Sequence, residues 1–208
     1  MKKVCFIVAL TTFCVLLMTQ ASFAVGFGFF GEYEAGDGDF EFDFSDEFDV
    51  DSKVYSLGFS FDTDPVSEKV FSYRLNAGYS NLELEDDESV TLELDGFIVD
   101  NTFCFGLVRS PNTKIWLGPQ IRVGYYSGDS DDLYYDDIHF GDDIDIELVA
   151  FAVAATVGAN FKGAGNSSFT MNIGVRVSGF AGEVEYLGYD EDIEGNTTTY
   201  FINVGALF

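Results

Sequence analysis

Positive charge is scarce in this chain. Ten lysines and arginines stand against 36 aspartates and glutamates in 208 residues, a formal charge of −26. Such a balance excludes nucleic acid as a partner, because phosphates are repelled. Histidine is scarcer still. His139 is the only one, in Asp136-Asp137-Ile138-His139-Phe140-Gly141. Covalent or general-base catalysis needs an oriented nucleophile–base pair, and nothing here supplies one, so no enzyme is expected. Proline occurs three times, too rarely to break up long regular strands. After the first two dozen residues no apolar run has helix-spanning length, which excludes a transmembrane helix there.

Cysteine is almost absent. Cys5 and Cys14 lie in an N-terminal segment of a distinct kind. Lys2 and Lys3 precede an apolar run from Val4 to Met18, and Ala21-Ser22-Phe23-Ala24 offers small residues at both recognition positions. This reads as a secretory signal peptide over 1–24, cut after Ala24. No lipobox cysteine marks a lipid anchor. Removing Lys2 and Lys3 moves the charge from −26 to −28. Residues 25–208 then suit one domain with Cys104 as its sole thiol, so no internal disulfide is expected in an oxidising compartment.

What the chain has in plenty is alternation. It holds 22 glycines, 23 phenylalanines and 11 tyrosines. Tyr200, Ile202, Val204, Ala206 and Phe208 share one face of a terminal strand, since side chains alternate with period two. Seven earlier segments alternate likewise. They begin at Val25 and carry, in order, Phe27–Ala35, Tyr55–Phe61, Phe71–Tyr79, Phe97–Leu107, Ile115–Tyr125, Val149–Phe161 and Phe169–Val177 at odd apolar positions. The opposite faces are rich in Gly, Ser, Thr, Asn and Gln. Short links (Asp62–Lys69, Ser110–Lys114, Lys162–Ser168) alternate with long acidic ones (Asp37–Lys53, Asn81–Asp95, Ser127–Glu147, Glu183–Thr199). Lys69, Arg109, Lys114 and Lys162 gather at the short-link end. Along each strand the chemistry of the two faces then exchanges. Asp37, Asp39 and Glu41 take the odd positions beside even Phe40 and Phe42, and Glu83 and Glu85 stand beside Leu82 and Leu84. The strands are therefore expected to run on past a bilayer into water as an acidic collar with an apolar interior. The terminal strand has its apolar face at even positions, which predicts a register change within Glu183–Thr199.

The signal peptide, the eightfold alternation and terminal Phe208 together resemble the eight-stranded outer-membrane barrels of Gram-negative bacteria, the OmpA-transmembrane, OmpX and OmpW types. The resemblance spans the whole of 25–208. It implies an all-β, eight-stranded antiparallel transmembrane β-barrel with extended extracellular hairpins and periplasmic termini. It further implies a monomer in contact with outer-membrane lipid and lipopolysaccharide, assembled by the barrel-assembly machinery with Phe208 as signal, and no further domain after Phe208. The expected role is non-enzymatic: envelope structure, or surface interaction through the acidic loops. The alternative is a narrow channel or transporter for small or hydrophobic solutes. The His-x-Ser pattern of barrel deacylases is missing, since Gly141 stands two residues after His139.

Three groups of residues are candidate sites. Glu32, Glu34, Arg74, Arg122 and Arg176 occupy inward positions, and Glu32, Arg122 and Arg176 fall at one height, which predicts an ion-pair cluster in the lumen: a structural plug or a gate. Asp129, Asp131, Asp132, Asp136, Asp137, Asp142, Asp143 and Asp145 offer hard oxygen ligands for Ca²⁺ or Mg²⁺, without EF-hand spacing. Their other reading is a solvated, repulsive surface. Phe40, Phe42, Phe44, Leu82, Leu84, Leu92, Leu94, Ile144 and Ile146 either pack into a dome or line a pocket for a hydrophobic ligand. Cys104, between Thr102 and Gly106 on an inward face, reads as small lumen packing.

Overall fold

The structure is a computed structural model that describes residues 26–42, 48–86, 91–135, 138–186 and 189–208. Eight strands follow one another: β1 (Gly26–Phe42), β2 (Phe48–Asp62), β3 (Phe71–Asp86), β4 (Thr91–Arg109), β5 (Thr113–Tyr135), β6 (Ile138–Lys162), β7 (Ser168–Tyr186) and β8 (Tyr189–Leu207). Each pairs antiparallel with the next, and β1 pairs with β8, so the sheet closes. The seam is sealed at its end by Phe208, whose N–H donates to the Phe27 carbonyl at 2.9 Å. Closure leaves no unpaired edge, the condition for exposing an apolar sheet safely.

The long acidic segments are mostly strand. β1 continues to Phe42 and β6 reaches 25 residues, so the hairpins extend well beyond the apolar band. On the outside of that band Phe27, Phe29, Phe59, Phe97, Phe151, Phe169 and Tyr200 are exposed. From Phe27 to Asp37 the outward face spans ten residues, about 33 Å along the strand and about 25 Å along the axis at a 40° tilt. Above it the outward residues Asp37, Asp51, Glu93, Asp145, Glu183 and Glu194 are exposed, while inward Phe40, Leu82, Leu94, Ile146 and Ile193 are buried.

The terminal strand corrects one expectation. β7 and β8 pair without irregularity from Ser168↔Leu207 to Tyr186↔Tyr189. No register change occurs. Two residues separate the last pair, and an even spacing sets odd positions against even ones along the entire hairpin.

Two local features have sequence causes. Pro119 lies within β5, and in a closed barrel every strand is central. Proline has no N–H to give the ladder. The β4–β5 pairing is accordingly interrupted between Thr102↔Gln120 and Phe105↔Leu117. Nearby, a bulge between Gly106 and Val108 shifts the register so that Arg109 pairs with Lys114. Bulges of this kind re-aim side chains.

Candidate functional site

The lumen is filled in three layers. The lowest, beside the short hairpins, is built around Arg74 of β3. Its Nε and Nη2 donate to Asp62 Oδ2 at 3.1 and 2.8 Å, and Nη2 also donates to Asn160 Oδ1 at 3.0 Å. Trp116 Nε1 donates to the same Asn160 oxygen at 3.1 Å, and the guanidinium lies 5.3 Å from the indole centroid. Gly158 faces the indole because an added Cβ would stand 2.3 Å from Trp116 Cζ2. Lys114 is fully buried on this floor, with Nζ donating to Ser72 Oγ at 2.9 Å and to the Asp64 carbonyl at 3.2 Å. Position 114 lies at the short-hairpin end and faces inward. Cys104 is a fully buried free thiol paired in register with Ser72.

The middle layer brings together Glu32 and Glu34 of β1, Arg122 of β5 and Arg176 of β7. Arg122 donates to Glu32 through Nη2 and to Glu34 Oε2 through Nη1 at 3.1 Å. Arg176 Nη1 donates to Glu32 Oε1 at 3.0 Å and to Glu34 Oε2. Arg74 takes no part; its strand pairing with Asp62 and Thr102 sets it in the layer below. Asp100 of β4 is in its place, accepting from Arg122 Nε at 2.6 Å and Nη2 at 2.8 Å. Sequence reasoning missed Asp100 and Asp62, although both are carboxylates at even, inward positions of their strands. Neutral groups complete the layer. Thr199 donates to Glu34 Oε1 at 2.5 Å, Asn203 Nδ2 to Glu32 Oε2 at 3.0 Å, and Arg176 Nη2 to Gln120 Oε1 at 2.8 Å. Arg176 also lies 4.3 Å from the Phe201 ring centroid. Every charged member is nearly or fully buried. Buried charges persist only when paired and hydrogen-bonded, and here three carboxylates share two guanidinium groups.

The top layer is apolar. Phe40, Val50, Leu82, Leu84, Leu94, Ile146, Phe180 and Ile193 belong to one buried cluster, with Leu92 and Phe48 packed against it. The described members of the candidate group pack on one another, because the inner faces of the extended strands meet: Phe40 lies 5.4 Å from Phe180, centroid to centroid. Phe42, Phe44 and Ile144 have side chains outside the described residues.

Outside the dome the strand register sets like charges face to face. Asp37 pairs with Asp51, Asp39 with Asp49, Glu83 with Glu93, and Glu147 with Glu183, which in turn faces Asp192. Directly opposed like charges destabilise a sheet. A hydrogen bond donated by the protonated Asp39 carboxyl to Asp49 raises the Asp39 pKa above its ordinary value. Asp95 is held low by Tyr79 and Asn81, which donate to it. Lys53 bonds Glu85 at 3.0 Å, which raises its own pKa. Of the candidate metal ligands, Asp145 is exposed on β6 opposite Asp129 and Glu185. The side chains of Asp129, Asp131, Asp132, Asp142 and Asp143, and all of Asp136 and Asp137, lie outside the described residues, as does the His139 side chain. Among the described residues, no group of three or more His, Cys, Asp or Glu is arranged to hold a metal.

Among solved structures, the outer membrane protein OprG from Pseudomonas aeruginosa is similar over 88% of this chain and 95% of its own, with a TM-score of 0.56 at 10% identity. The fold is that of an outer-membrane β-barrel. Neisserial surface protein A aligns with a TM-score of 0.36 at 10% identity, covering 85% of this barrel chain and 96% of that one. The outer membrane protease OmpT from Escherichia coli aligns at 0.35 and 8% identity, covering 88% and 96%. Neither score defines a shared fold. No family model matches the chain, and no curated protein matches it.

Proposed function

We propose that the protein is a non-enzymatic, monomeric integral barrel of the Gram-negative outer membrane, exported by the signal peptide over 1–24, with short hairpins and termini in the periplasm and the acidic collar outside. Its role is envelope-structural or surface-interacting through that collar. The observation that carries the membrane reading is the closed belt of exposed aromatic and aliphatic side chains, about 25 Å tall, ending at acids on one side. A soluble protein would not leave such a patch uncovered. The structural role, in preference to conduction, is supported by a lumen filled through its depth by ion pairs and an apolar dome. Phe208 would serve the assembly machinery, since the residue is 65% exposed while its backbone N–H and carbonyl bond to Phe27 at the seam. Ca²⁺ or Mg²⁺ would bridge the collar to lipopolysaccharide phosphates, and calorimetry at low salt should then show Ca²⁺ heat on the refolded protein.

The test is a pair of measurements on refolded protein. Boiling should shift its gel migration, as unfolding of a barrel requires. In planar bilayers it should show no single-channel conductance. Steady conductance would replace the structural reading with that of a narrow channel.

A further inference from the structure

Exposed cations gather at one end of the molecule; at the other, Lys53 has a 39% exposed side chain and is paired with Glu85. Among the described residues Lys69, Arg109 and Lys162 are the most exposed lysines and arginines, and all three lie at the short hairpins. The only exposed carboxylate on those hairpins is Glu68, because Asp62 and Asp64 are buried. Hydrogen bonds tie the three hairpin ends into one arc. Arg109 Nη1 donates to the Glu68 carbonyl at 3.2 Å, and the Lys162 N–H donates to the Asn112 carbonyl at 2.9 Å. Lys69 lies 3.5 Å from the Asp64 carboxylate, whereas the Arg109 bond is to a neutral carbonyl and leaves its charge uncompensated. The bulge at Gly106–Val108 places Arg109 at this rim. Immediately beside the arc the apolar belt begins, with Leu107 60% and Phe169 59% exposed. A cation at the edge of an apolar belt stands at the depth of lipid phosphates.

We propose that this rim is a docking surface for the headgroup of an anionic phospholipid in the leaflet on the short-hairpin side, with its phosphate held between Arg109 and Lys162. The inference rests on the membrane reading. Charge complementarity selects the occupant. The rim carries net positive charge on a strongly acidic protein, and the opposite end presents carboxylates that repel phosphate. An anionic headgroup therefore has one favourable level on the barrel.

Native mass spectrometry of the refolded protein tests this, with phosphatidylglycerol and phosphatidylcholine of identical acyl chains as probes. A cation near the surface is worth about fivefold toward an anionic lipid. The wild-type chain should retain phosphatidylglycerol preferentially. Arg109→Gln with Lys162→Gln should lower that preference by about 25-fold, with the heat-shifted gel migration intact. Glu68→Lys adds a cation and leaves the Glu68 backbone carbonyl in place, so it should raise the preference and covers the case in which the double variant fails to fold. Equal retention of both lipids by the wild type, an unchanged preference in the double variant, or no gain in Glu68→Lys would overturn the proposal. A chain that enters vesicles but shows no preference refutes this surface alone, whereas one that enters no vesicle refutes the membrane reading.

Discussion

Arg122 is the residue on which the lumen turns. It contacts all three carboxylates of the middle layer, Glu32, Glu34 and Asp100. Replacing it by alanine leaves those carboxylates buried with Arg176 as their remaining guanidinium, and uncompensated buried charge is expensive. Arg122→Ala should cost about 3–5 kcal/mol, read as a lowered urea midpoint for the refolded barrel. A midpoint within error of wild type would show the layer to be hydrated and energetically idle. The collar carboxylates differ among themselves. Asp39 has a raised folded-state pKa, so the stabilisation from its bond with Asp49 is present below the ordinary 3.8 and is lost as pH rises through the raised value. Asp95 is depressed, so its stabilisation is present above 3.8 and is lost as pH falls through the lowered value. A carbon-detected NMR titration should find the Asp39 midpoint above that of Asp95, and the reverse order would remove the Asp39–Asp49 bond from the account.

At the level of the strand, period-two alternation made most of the barrel readable. One face of each strand is apolar for the depth of a belt, so strand number, facing and the continuation into a collar all follow from parity. The site was readable only to the extent that parity and strand height sufficed. They united Glu32, Arg122 and Arg176, but Arg74 falls in another layer because barrel shear staggers neighbouring strands, and the pairing register is a product of closure. Nearness to a turn, by which Lys114 is grouped with Lys69, Arg109 and Lys162, does not determine exposure when the residue's parity points inward. Packing between facing strands was equally invisible. Gly158 on β6 leaves room for Trp116 on β5, and Gly158→Ala should destabilise the barrel by about 1–3 kcal/mol through overpacking. Combined with Trp116→Leu, the added methyl group has space, and the double variant should lose less than the sum of the two single losses in chemical denaturation. Strict additivity would show that the two residues do not share that space.

Taken whole, the barrel is graded along its axis: a cationic rim, a neutralised floor, a carboxylate-rich middle, an apolar dome, and acids outside. Opposed carboxylates along the collar make that end self-repelling. Raising ionic strength from about 10 mM to about 1 M shortens the screening length from about 30 Å to about 3 Å. Glu-C cleavage of the collar should therefore slow as salt rises, and the thermal midpoint should climb. A protein held by surface ion pairs would respond in the opposite direction, so a falling midpoint would refute the repulsion.

The carboxylate pairs on the collar, from Asp37–Asp51 around to Glu183–Asp192, point outward around the circumference. Two copies drifting together in a membrane would bring these fences into contact before their apolar belts could touch. Neighbours would keep a separation of about one screening length, near 8 Å at physiological ionic strength. The same charges that weaken the individual sheet thus act as spacers in a crowd, dispersing the protein across the plane instead of letting it form patches.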